Sequence, residues 1–275
     1  MNAGLNGKLL LVGAGNMGGA LLRGWIEKGL STDQIIVQDP GPPDNMTKLM
    51  QQHGIKWAEE ASNQIGSKVA VVVLAVKPQI MDKVLPGVKH FAQPSTVFLS
   101  VAAGKTIDYY ESGLGAGANI VRTIPNTPAA VARGITAAYA NSNTTATQID
   151  LCNNLLGAIG EVVWVDNEDL IDVATGVSGS GPAYVFLMAE CLAEAGVAAG
   201  LPSDVAMKLA CATVSGAGEL MHQSPLDPGT LRENVTSPNG TTAAALEILR
   251  DSGDLATLMR NAVAAAANRS RELAK

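Results

Sequence analysis

The stretch LLLVGAGNMGGALLRGW, residues 9–25, joins an apolar run to a helical pattern through a glycine-rich turn. Its glycines follow the spacing Gly-x-Gly-x-x-Gly, at Gly13, Gly15 and Gly18. In such a strand–turn–helix unit the first glycine permits the tight turn and the second lets the backbone approach a pyrophosphate. The third lets helix and strand pack closely. We therefore predict a dinucleotide site at the start of the helix, near Asn16 and Met17, with a ligand-free glycine-rich turn as the alternative.

Short apolar runs alternate with helical patterns through the first part of the chain. The candidate strands are 8–15, 34–39, 69–76, 96–104 and 119–126, extended by 136–140 and 161–165. The helical patterns lie near 17–29, 44–53, 79–91, 106–112 and 145–158. Such strands, lacking clean polar alternation, indicate a parallel sheet covered on both faces. After residue 166 only Ala/Leu/Met-rich helix follows, which predicts an α/β Rossmann-like domain over 1–165 and an all-α domain over 166–275.

Composition excludes several classes of partner. A net charge of −6 and a pI near 5.1 argue against binding to nucleic acid or to an anionic membrane surface. The longest apolar run, 69–76, is too short to cross a bilayer, and we expect a cytoplasmic protein without a leader. The cysteines form no Cys-x-x-Cys pair, so we expect buried free thiols and no metal site; they are Cys152, Cys191 and Cys211.

Asp39 stands at the end of the second predicted strand, where a carboxylate can accept hydrogen bonds from the ribose hydroxyls of an adenosine. It would repel a 2′-phosphate, no arginine follows nearby, and Lys48 is the nearest cation. These residues favour NADH over NADPH. Ser62 and Asn63 could also reach the ribose, and Asp39 could simply start a turn, so the choice between the two cofactors stays open.

Three further strands end in loops of unusual composition, LAVKP (74–78), SVAAG (100–104) and IPNTPA (124–129). Ligands of open parallel sheets bind at the carboxyl ends of the strands, so we predict that these loops form the walls of a nicotinamide pocket. The cofactor-binding residues predicted there are Ala75, Val76, Lys77, Pro78, Ala102, Ala103, Gly104 and Asn126.

The chain lacks an evident proton donor for ketone reduction. The histidines are His53, His90 and His222, and none falls in a Gly/Ser/Thr motif or a strand-end loop. The turn GVSGSGPAY, residues 176–184, carries the glycine spacing of β-hydroxyacid dehydrogenases, but Val185 and Ala189 replace their Lys and Asn. We therefore expect a substrate that brings its own proton.

With these pieces assembled, the chain resembles the pyrroline-5-carboxylate reductases over nearly its whole length. The motifs that carry the resemblance are VGAGNMGGAL (12–21), LAVKPQ (74–79), SVAAG (100–104), PNTPA (125–129), TGVSGSGPAYVF (175–186), GLP (200–202) and NVTSPNGTT (234–242). The resemblance implies reduction of (S)-1-pyrroline-5-carboxylate to L-proline with NAD(P)H, and the family leans to NADPH, against the indication from Asp39. It also implies a helical dimerisation domain, dimers that often assemble into decamers, and an active site shared between protomers.

The resemblance gives the hydroxyl-rich turn at 236–242 a role. It implies that Thr242 hydrogen-bonds the ring nitrogen, while Ser237 and nearby backbone N–H groups can hold the carboxylate. The predicted substrate-binding residues are Ser178, Gly179, Asn234, Ser237, Asn239, Gly240, Thr241 and Thr242, with Thr242 and Ser237 catalytic. Asn239 departs from the family's Ser-Pro-Gly-Gly-Thr, but Asn tolerates positive φ, so the turn should survive.

Two alternatives remain from the sequence. One is a β-hydroxyacid dehydrogenase-like oxidoreductase, against which Val185 argues. The other is a non-catalytic NAD(P)-binding sensor, which would not need to keep a hydride-transfer pocket. In each case the apolar helices of 166–275 predict at least a homodimer.

Overall fold

The computed structural model describes residues 4–60, 68–252 and 254–274, and a mixed, mainly parallel sheet organises the first of its two compact units. The strands are β1 Lys8–Val12, β2 Ile35–Gln38, β3 Lys56–Ala58, β4 Val69–Leu74, β5 Val97–Ser100, β6 Asn119–Pro125, β7 Gly134–Ala140 and β8 Gly160–Trp164. Their order in the sheet is β3-β2-β1-β4-β5-β6-β7-β8. The predicted Rossmann-like α/β fold is therefore confirmed.

Helices follow most of the strands. Those of the sheet region are α1 Asn16–Glu27, α2 Asp44–Gln52, α3 Met81–Val88, α4 Ile107–Leu114, α5 Ala146–Leu156 and α6 Asp169–Ala174. The remaining helices are α7 Gly181–Ala198, α8 Ser203–Gln223, α9 Pro228–Asn234, α10 Thr241–Glu247 and α11 Leu255–Leu273. No strand follows residue 164 in the described ranges, as the sequence pattern predicts. Among the described residues, no helix combines the length and apolar character needed to cross a bilayer.

The sheet is covered on both faces because successive side chains of a strand point to opposite sides. In β1, Leu9 and Leu11 join one buried cluster, and Leu10 and Val12 join the other. All six residues of β4 are buried, so this central strand has no polar face. The same two-sided burial explains why the apolar runs of the sequence lack alternation.

Two features of the sheet were not predicted. The strand β3 is only three residues long and lies at the sheet edge, so its sequence carries too little apolar pattern to indicate a strand. The strands β6 and β7 pair antiparallel, whereas every other neighbouring pair is parallel. The connection 126–133 is too short for a parallel crossover, which needs about a dozen residues or more.

The chain divides into two compact units. The sheet unit extends to Gly179 and takes in the C-terminal segment from Ala266, and the helical unit comprises Ser180–Ala265. The two domains predicted from the sequence, 1–165 and 166–275, have a different boundary from these compact units, and that domain assignment stays a prediction. In this packing, α6 and the end of α11 belong with the sheet.

Small residues pack α7 against α8 in the helical unit. A Cβ added at Gly196 would lie 3.2 Å from the Cβ of Ala206, so the two helices approach closely there. The buried residues among those described in this unit are all alanines, Ala193, Ala206 and Ala210. On α7 and α8 the large apolar side chains instead face outward, and six of them are at least half exposed: Phe186, Leu187, Met188, Leu209, Leu220 and Met221.

The expectation of buried thiols is wrong for two of the three cysteines. Cys152 is fully buried beneath the sheet, whereas Cys191 and Cys211 lie exposed on α7 and α8 of the single chain. The reason is the same alanine-rich packing, because these helices bury small residues against each other and leave their other faces open.

Candidate active site

The glycine-rich turn between β1 and α1 has a distinct physical reason for each glycine. Gly13 has φ +95°, and a Cβ there would lie 2.8 Å from the carbonyl oxygen of Ala75. A Cβ at Gly18 would lie 2.0 Å from the carbonyl oxygen of Gly13, so only glycine lets the helix come this close to the strand. A Cβ at Gly15 would meet no atom within 4 Å. Two glycines are thus required by packing, and the third leaves open space.

The open space at Gly15 lies over the start of α1. Gly15 is the N-cap residue and provides no side-chain cap for the first-turn N–H groups of the helix. Gly15 and Asn16 are exposed, and Met17 is partly buried. Uncapped N–H groups at the positive end of a helix bind phosphate oxygens. The residues present therefore fit the pyrophosphate of a dinucleotide.

Asp39 follows β2 and holds two stretches of backbone together. One carboxylate oxygen accepts from the N–H of Ala14 at 2.7 Å, and the other accepts from the N–H of Gly41 at 2.8 Å. The bond from Ala14 fixes the glycine-rich turn. The bond from Gly41 closes an Asx turn that begins at Asp39. Asp39 therefore positions the loop through backbone contacts, and Ser62 and Asn63, the other predicted ribose contacts, lie outside the described residues.

The loops predicted to form the walls of the nicotinamide pocket follow the carboxyl ends of neighbouring strands. Strands β1, β4, β5 and β6 are neighbours and run parallel, so their carboxyl ends lie side by side. The N–H of Ala75 donates to Val12 at 2.8 Å, and the N–H of Val101 donates to Leu74 at 3.1 Å. The first bond places the 74–78 loop next to the glycine-rich turn, and the second places the 100–104 loop next to the 74–78 loop.

The individual wall residues differ in exposure. Lys77 and Ala103 are exposed, whereas Ala102 and Gly104 are buried. The partly buried residues are Ala75, Val76 and Pro78, and Pro78 begins a short 3-10 turn. Asn126 is 8% exposed, and its side-chain oxygen accepts from the N–H of Ile135 at 2.9 Å. This bond to the start of β7 holds the Asn126 loop in place.

A buried charged cluster lies beside these loops and was not predicted from the sequence. Arg122, 2% exposed, pairs with Glu168 at 2.7 Å and with Asp172 at 3.2 Å. Asp172 also accepts from the hydroxyl of Ser270 at 2.6 Å. We call these four residues the Arg122 cluster. Two sequence signals indicated this cluster. One is an arginine, Arg122, inside the apolar run of β6, and the other is the spacing of four residues between Glu168 and Asp172.

Tyr110 lies on α4 against the end of β5. Its hydroxyl is 2.5 Å from Oγ of Ser100, which also accepts from the N–H of Ala102 at 3.2 Å. Burial raises the pKa of Tyr110 to about 12, while the hydrogen bond to Ser100 and the charge of Arg122 oppose the rise. Tyr110 is therefore a neutral structural group that holds the start of the 101–106 loop.

In the helical unit, residues 237–240 form a tight turn before α10. The N–H of Gly240 donates to the carbonyl of Ser237 at 3.0 Å, Pro238 follows Ser237, and Asn239 has φ +59°. Proline at the second position and positive φ at the third define a type II turn. Asn239 thus adopts the positive φ that asparagine is expected to tolerate, and the turn is formed as predicted.

The hydroxyls around this turn differ in what they bind. Thr236 donates to the carbonyl of Arg232 at 2.6 Å, so its hydroxyl is used within α9. In the part of the chain that the structure describes, the hydroxyls of Ser237, Thr241 and Thr242 make no hydrogen bond. Gly240 is the N-cap of α10 and provides no capping side chain. The turn therefore presents free hydroxyls next to uncapped N–H groups.

The remaining predicted substrate residues fall into both units. Asn234 is exposed at the end of α9 in the helical unit. Ser178 and Gly179 belong to the sheet unit, in a π-helical turn after α6, where the Ser178 hydroxyl donates to Ala174 at 3.0 Å. All three histidines are exposed. Among the described residues, no group of side chains could hold a metal ion.

Comparisons with known proteins identify relatives along the whole chain. A family model described as pyrroline-5-carboxylate reductase dimerisation matches residues 168–273. A second, described as NADP oxidoreductase, coenzyme F420-dependent, matches residues 8–104. The pyrroline-5-carboxylate reductase of Pseudomonas aeruginosa is 37% identical, with 98% of this chain and 97% of that protein covered. The reductase of Synechocystis is 40% identical, with 98% of each covered.

Solved structures show the same likeness. The chain matches a pyrroline-5-carboxylate reductase from Coxiella burnetii at 35% identity and a TM-score of 0.91, covering 98% of this chain and 99% of that one. It matches the Plasmodium falciparum pyrroline carboxylate reductase with NADP bound at 29% identity and a TM-score of 0.80, with the same coverage.

Proposed function

The chain belongs to the pyrroline-5-carboxylate reductase family, and we propose that it holds its substrate at residues 237–242 and its dinucleotide at residues 13–18. The protein reduces (S)-1-pyrroline-5-carboxylate to L-proline with NAD(P)H, the last step of proline biosynthesis. Membership of this family decides against the hydroxyacid dehydrogenase and the non-catalytic sensor. The residue assignments within the site are the part that needs testing.

The observation that carries the substrate proposal is the type II turn at residues 237–240, together with the first turn of α10 that follows it. Its type II geometry directs the chain into α10 with Gly240 at the N-cap, so the first-turn N–H groups are left for an outside acceptor. A carboxylate is such an acceptor, and the Ser237 hydroxyl adds a further donor beside it. Thr242, partly buried within the first turn of α10, then faces the ring of the bound imino acid.

The main requirement that the reaction places on the protein is to orient the substrate relative to the dinucleotide. Bound NAD(P)H supplies the hydride that the C=N carbon accepts. A cyclic imine protonated at nitrogen already has an electrophilic carbon, so the reaction requires no strong acid from the side chains. The oxygen of Thr242 accepts a hydrogen bond from that nitrogen and fixes the ring, while the turn at 237–240 fixes the carboxylate. This arrangement accounts for a site without histidine.

Replacing Thr242 by Val tests this assignment, because Val keeps the branched shape and removes the hydroxyl. We expect kcat to fall about tenfold or more, which corresponds to about 1.5 kcal/mol of lost hydrogen bonding in the transition state. The dissociation constant for NADH should stay unchanged, and Thr242→Ser should recover most of the rate. Initial rates with purified pyrroline-5-carboxylate provide the measurement.

Thr236→Val is the matched control, since the Thr236 hydroxyl is already bonded to Arg232 within α9. It should leave kcat close to that of the parent. A Thr242→Val enzyme with parental kcat would show that this hydroxyl does not contact the ring nitrogen.

For the dinucleotide itself, we propose a preference for NADH. Asp39 follows β2, Asp44 begins α2, and no Lys or Arg comes between β2 and Lys48, which is exposed on α2. A 2′-phosphate placed there would meet like charge. The Plasmodium falciparum relative has NADP bound, so the proposed preference rests on the residues of this chain alone.

The ratio of kcat/KM for NADH to that for NADPH checks this preference. The parent should favour NADH, and Asp39→Asn should shift the ratio toward NADPH, because the amide removes the negative charge. Its single oxygen keeps only one of the two backbone bonds, to Ala14 or to Gly41, so the melting temperature of the variant is measured alongside the ratio. Asp33→Asn, exposed at the opposite end of β2, is the control for a general change in charge. A parent that prefers NADPH, or an unshifted ratio in Asp39→Asn, contradicts the proposal.

The protein is a homo-oligomer built through its helical dimerisation region. The exposed apolar side chains of α7 and α8, set against buried residues that are all alanine, are the surface that a second copy would cover. We propose that dimers assemble further into decamers, and that the site combines the glycine-rich turn of one protomer with the hydroxyl-rich turn of another. The cytoplasmic location stays a prediction.

A further inference from the structure

The loop at residues 101–106, which joins β5 to α4, is anchored by polar groups at both ends, buried at its start and partly buried at its end. At its start, Ser100 is held by Tyr110 at 2.5 Å and by the hydroxyl of Thr123, which donates to the Ser100 carbonyl at 2.8 Å. At its end, the N–H of Ile107 donates to Glu168 at 2.9 Å. This loop carries Ala102, Ala103 and Gly104, the predicted nicotinamide wall.

The Arg122 cluster links this loop to the C-terminus of the chain. Glu168, which anchors Ile107, also pairs with the buried Arg122, and Arg122 pairs with Asp172. Asp172 in turn accepts a hydrogen bond from the hydroxyl of Ser270, and the side chains of both residues are nearly fully buried. Because the acceptor is a carboxylate without access to bulk water, this hydrogen bond fixes the last turns of α11 strongly.

The end of α11 also contacts the loop directly. Gly104 has φ +71°, and a Cβ there would lie 3.3 Å from the Cβ of Leu273 and 3.4 Å from its carbonyl oxygen. Leu273 lies about one helical turn beyond Ser270. The C-terminal segment and the loop belong to the same compact unit. The middle of the loop thus packs on the helix end whose position Ser270 fixes.

We propose that the C-terminal end of α11 is a positioning element for the dinucleotide, with Ser270 as the residue that fixes it against the 101–106 loop. The element touches no reactant and acts through Gly104. The inference rests on the proposed cofactor role of this loop. It assigns to the last residues of the chain a part in dinucleotide binding in addition to their part in the fold.

Ser270→Ala tests the inference in the full-length enzyme. We expect the dissociation constant for NADH, measured by titration calorimetry without substrate, to rise about fivefold, equivalent to about 1 kcal/mol. The KM for NADH should rise similarly, while the KM for pyrroline-5-carboxylate should stay as in the parent. Ser270→Thr, which keeps the hydroxyl, should restore NADH binding. Arg271→Ala, an exposed neighbour on the same helix, is the control and should bind NADH normally.

Gly104→Ala separates failure of this inference from failure of the cofactor assignment. The added methyl meets Leu273 and the backbone is strained at positive φ, so NADH binding should weaken. If Gly104→Ala weakens NADH binding and Ser270→Ala does not, the positioning role of α11 is wrong although the loop binds cofactor. If neither variant changes NADH binding, the loop assignment fails and the inference fails with it. A Ser270→Ala protein with a lower melting temperature and parental NADH affinity also overturns it, because that pattern marks a purely structural bond.

Discussion

Alanine at position 15 should weaken dinucleotide binding while leaving the fold intact. The Cβ that it adds meets no protein atom within 4 Å, and φ −68° lies outside the left-handed region that favours glycine. The new methyl group therefore costs nothing in packing. It does fill the open space over the N-terminus of α1, where an oxygen of a pyrophosphate must approach the N–H groups.

The magnitude follows from the contact that is lost. A hydrogen bond from a backbone N–H group to a charged oxygen contributes about 1.5 to 3 kcal/mol. Loss of one such bond raises the dissociation constant for NADH roughly 10- to 100-fold. The free energy of unfolding without cofactor should fall by about 1 kcal/mol or less, the difference between glycine and alanine at an N-cap.

The assay pairs calorimetric titration of NADH with urea unfolding of the cofactor-free protein. Gly87→Ala is the matched control, because its added Cβ also meets no atom within 4 Å and it lies on the exposed side of α3. Gly18→Ala should show the opposite pattern, with a loss of about 3 kcal/mol or failure to fold, because its Cβ would lie 2.0 Å from a carbonyl oxygen. Parental NADH affinity in Gly15→Ala would refute the phosphate site.

Further predictions concern the turn before α10 and the buried tyrosine. Asn239→Gly should keep the KM for pyrroline-5-carboxylate, whereas Asn239→Val, a branched residue at φ +59°, should raise it several-fold, the backbone cost being about 1–2 kcal/mol; equal KM values in steady-state assays would contradict this. Because burial raises the pKa of Tyr110 from 10.0 to about 12, its contribution to stability is complete below pH 10 and is lost as the pH rises toward 12. Urea unfolding followed by tryptophan fluorescence should therefore show that, between about pH 9 and about pH 11, the parent loses about 1.4 kcal/mol more than Tyr110→Phe. Tyr109, whose pKa is also raised by burial and by its hydrogen bond to Asp82, is present in both proteins, and equal losses would argue against a buried neutral Tyr110.

The amino-acid sequence was sufficient for features that depend on neighbours along the chain. The glycine spacing at 13–18 predicts the strand–turn–helix unit because Gly13 takes a positive φ in the turn and a Cβ at Gly18 would clash with the carbonyl of Gly13 five residues earlier. Asn239 is predicted to accept positive φ for the same local reason. Apolar runs of strand length and helical periodicity likewise locate nearly every strand and helix, and the three-residue β3 escapes because so short a segment has no period to detect.

Only the tertiary structure decided which groups meet across long sequence separations. The carboxylate of Asp39 accepts a hydrogen bond from the N–H of Ala14, 25 residues away in sequence. It therefore holds the glycine-rich turn in place, a role separate from any contact with a ribose. Arg122, Asp172 and Ser270 come from three different elements, and the Ser270–Asp172 bond spans 98 residues. The cost of burying a charge is offset only where a partner arrives from elsewhere in the fold, and no local pattern encodes that arrival. The outward-facing apolar side chains of α7 and α8 follow the same logic, because whether a helix face is covered depends on what packs against it, not on its own residues.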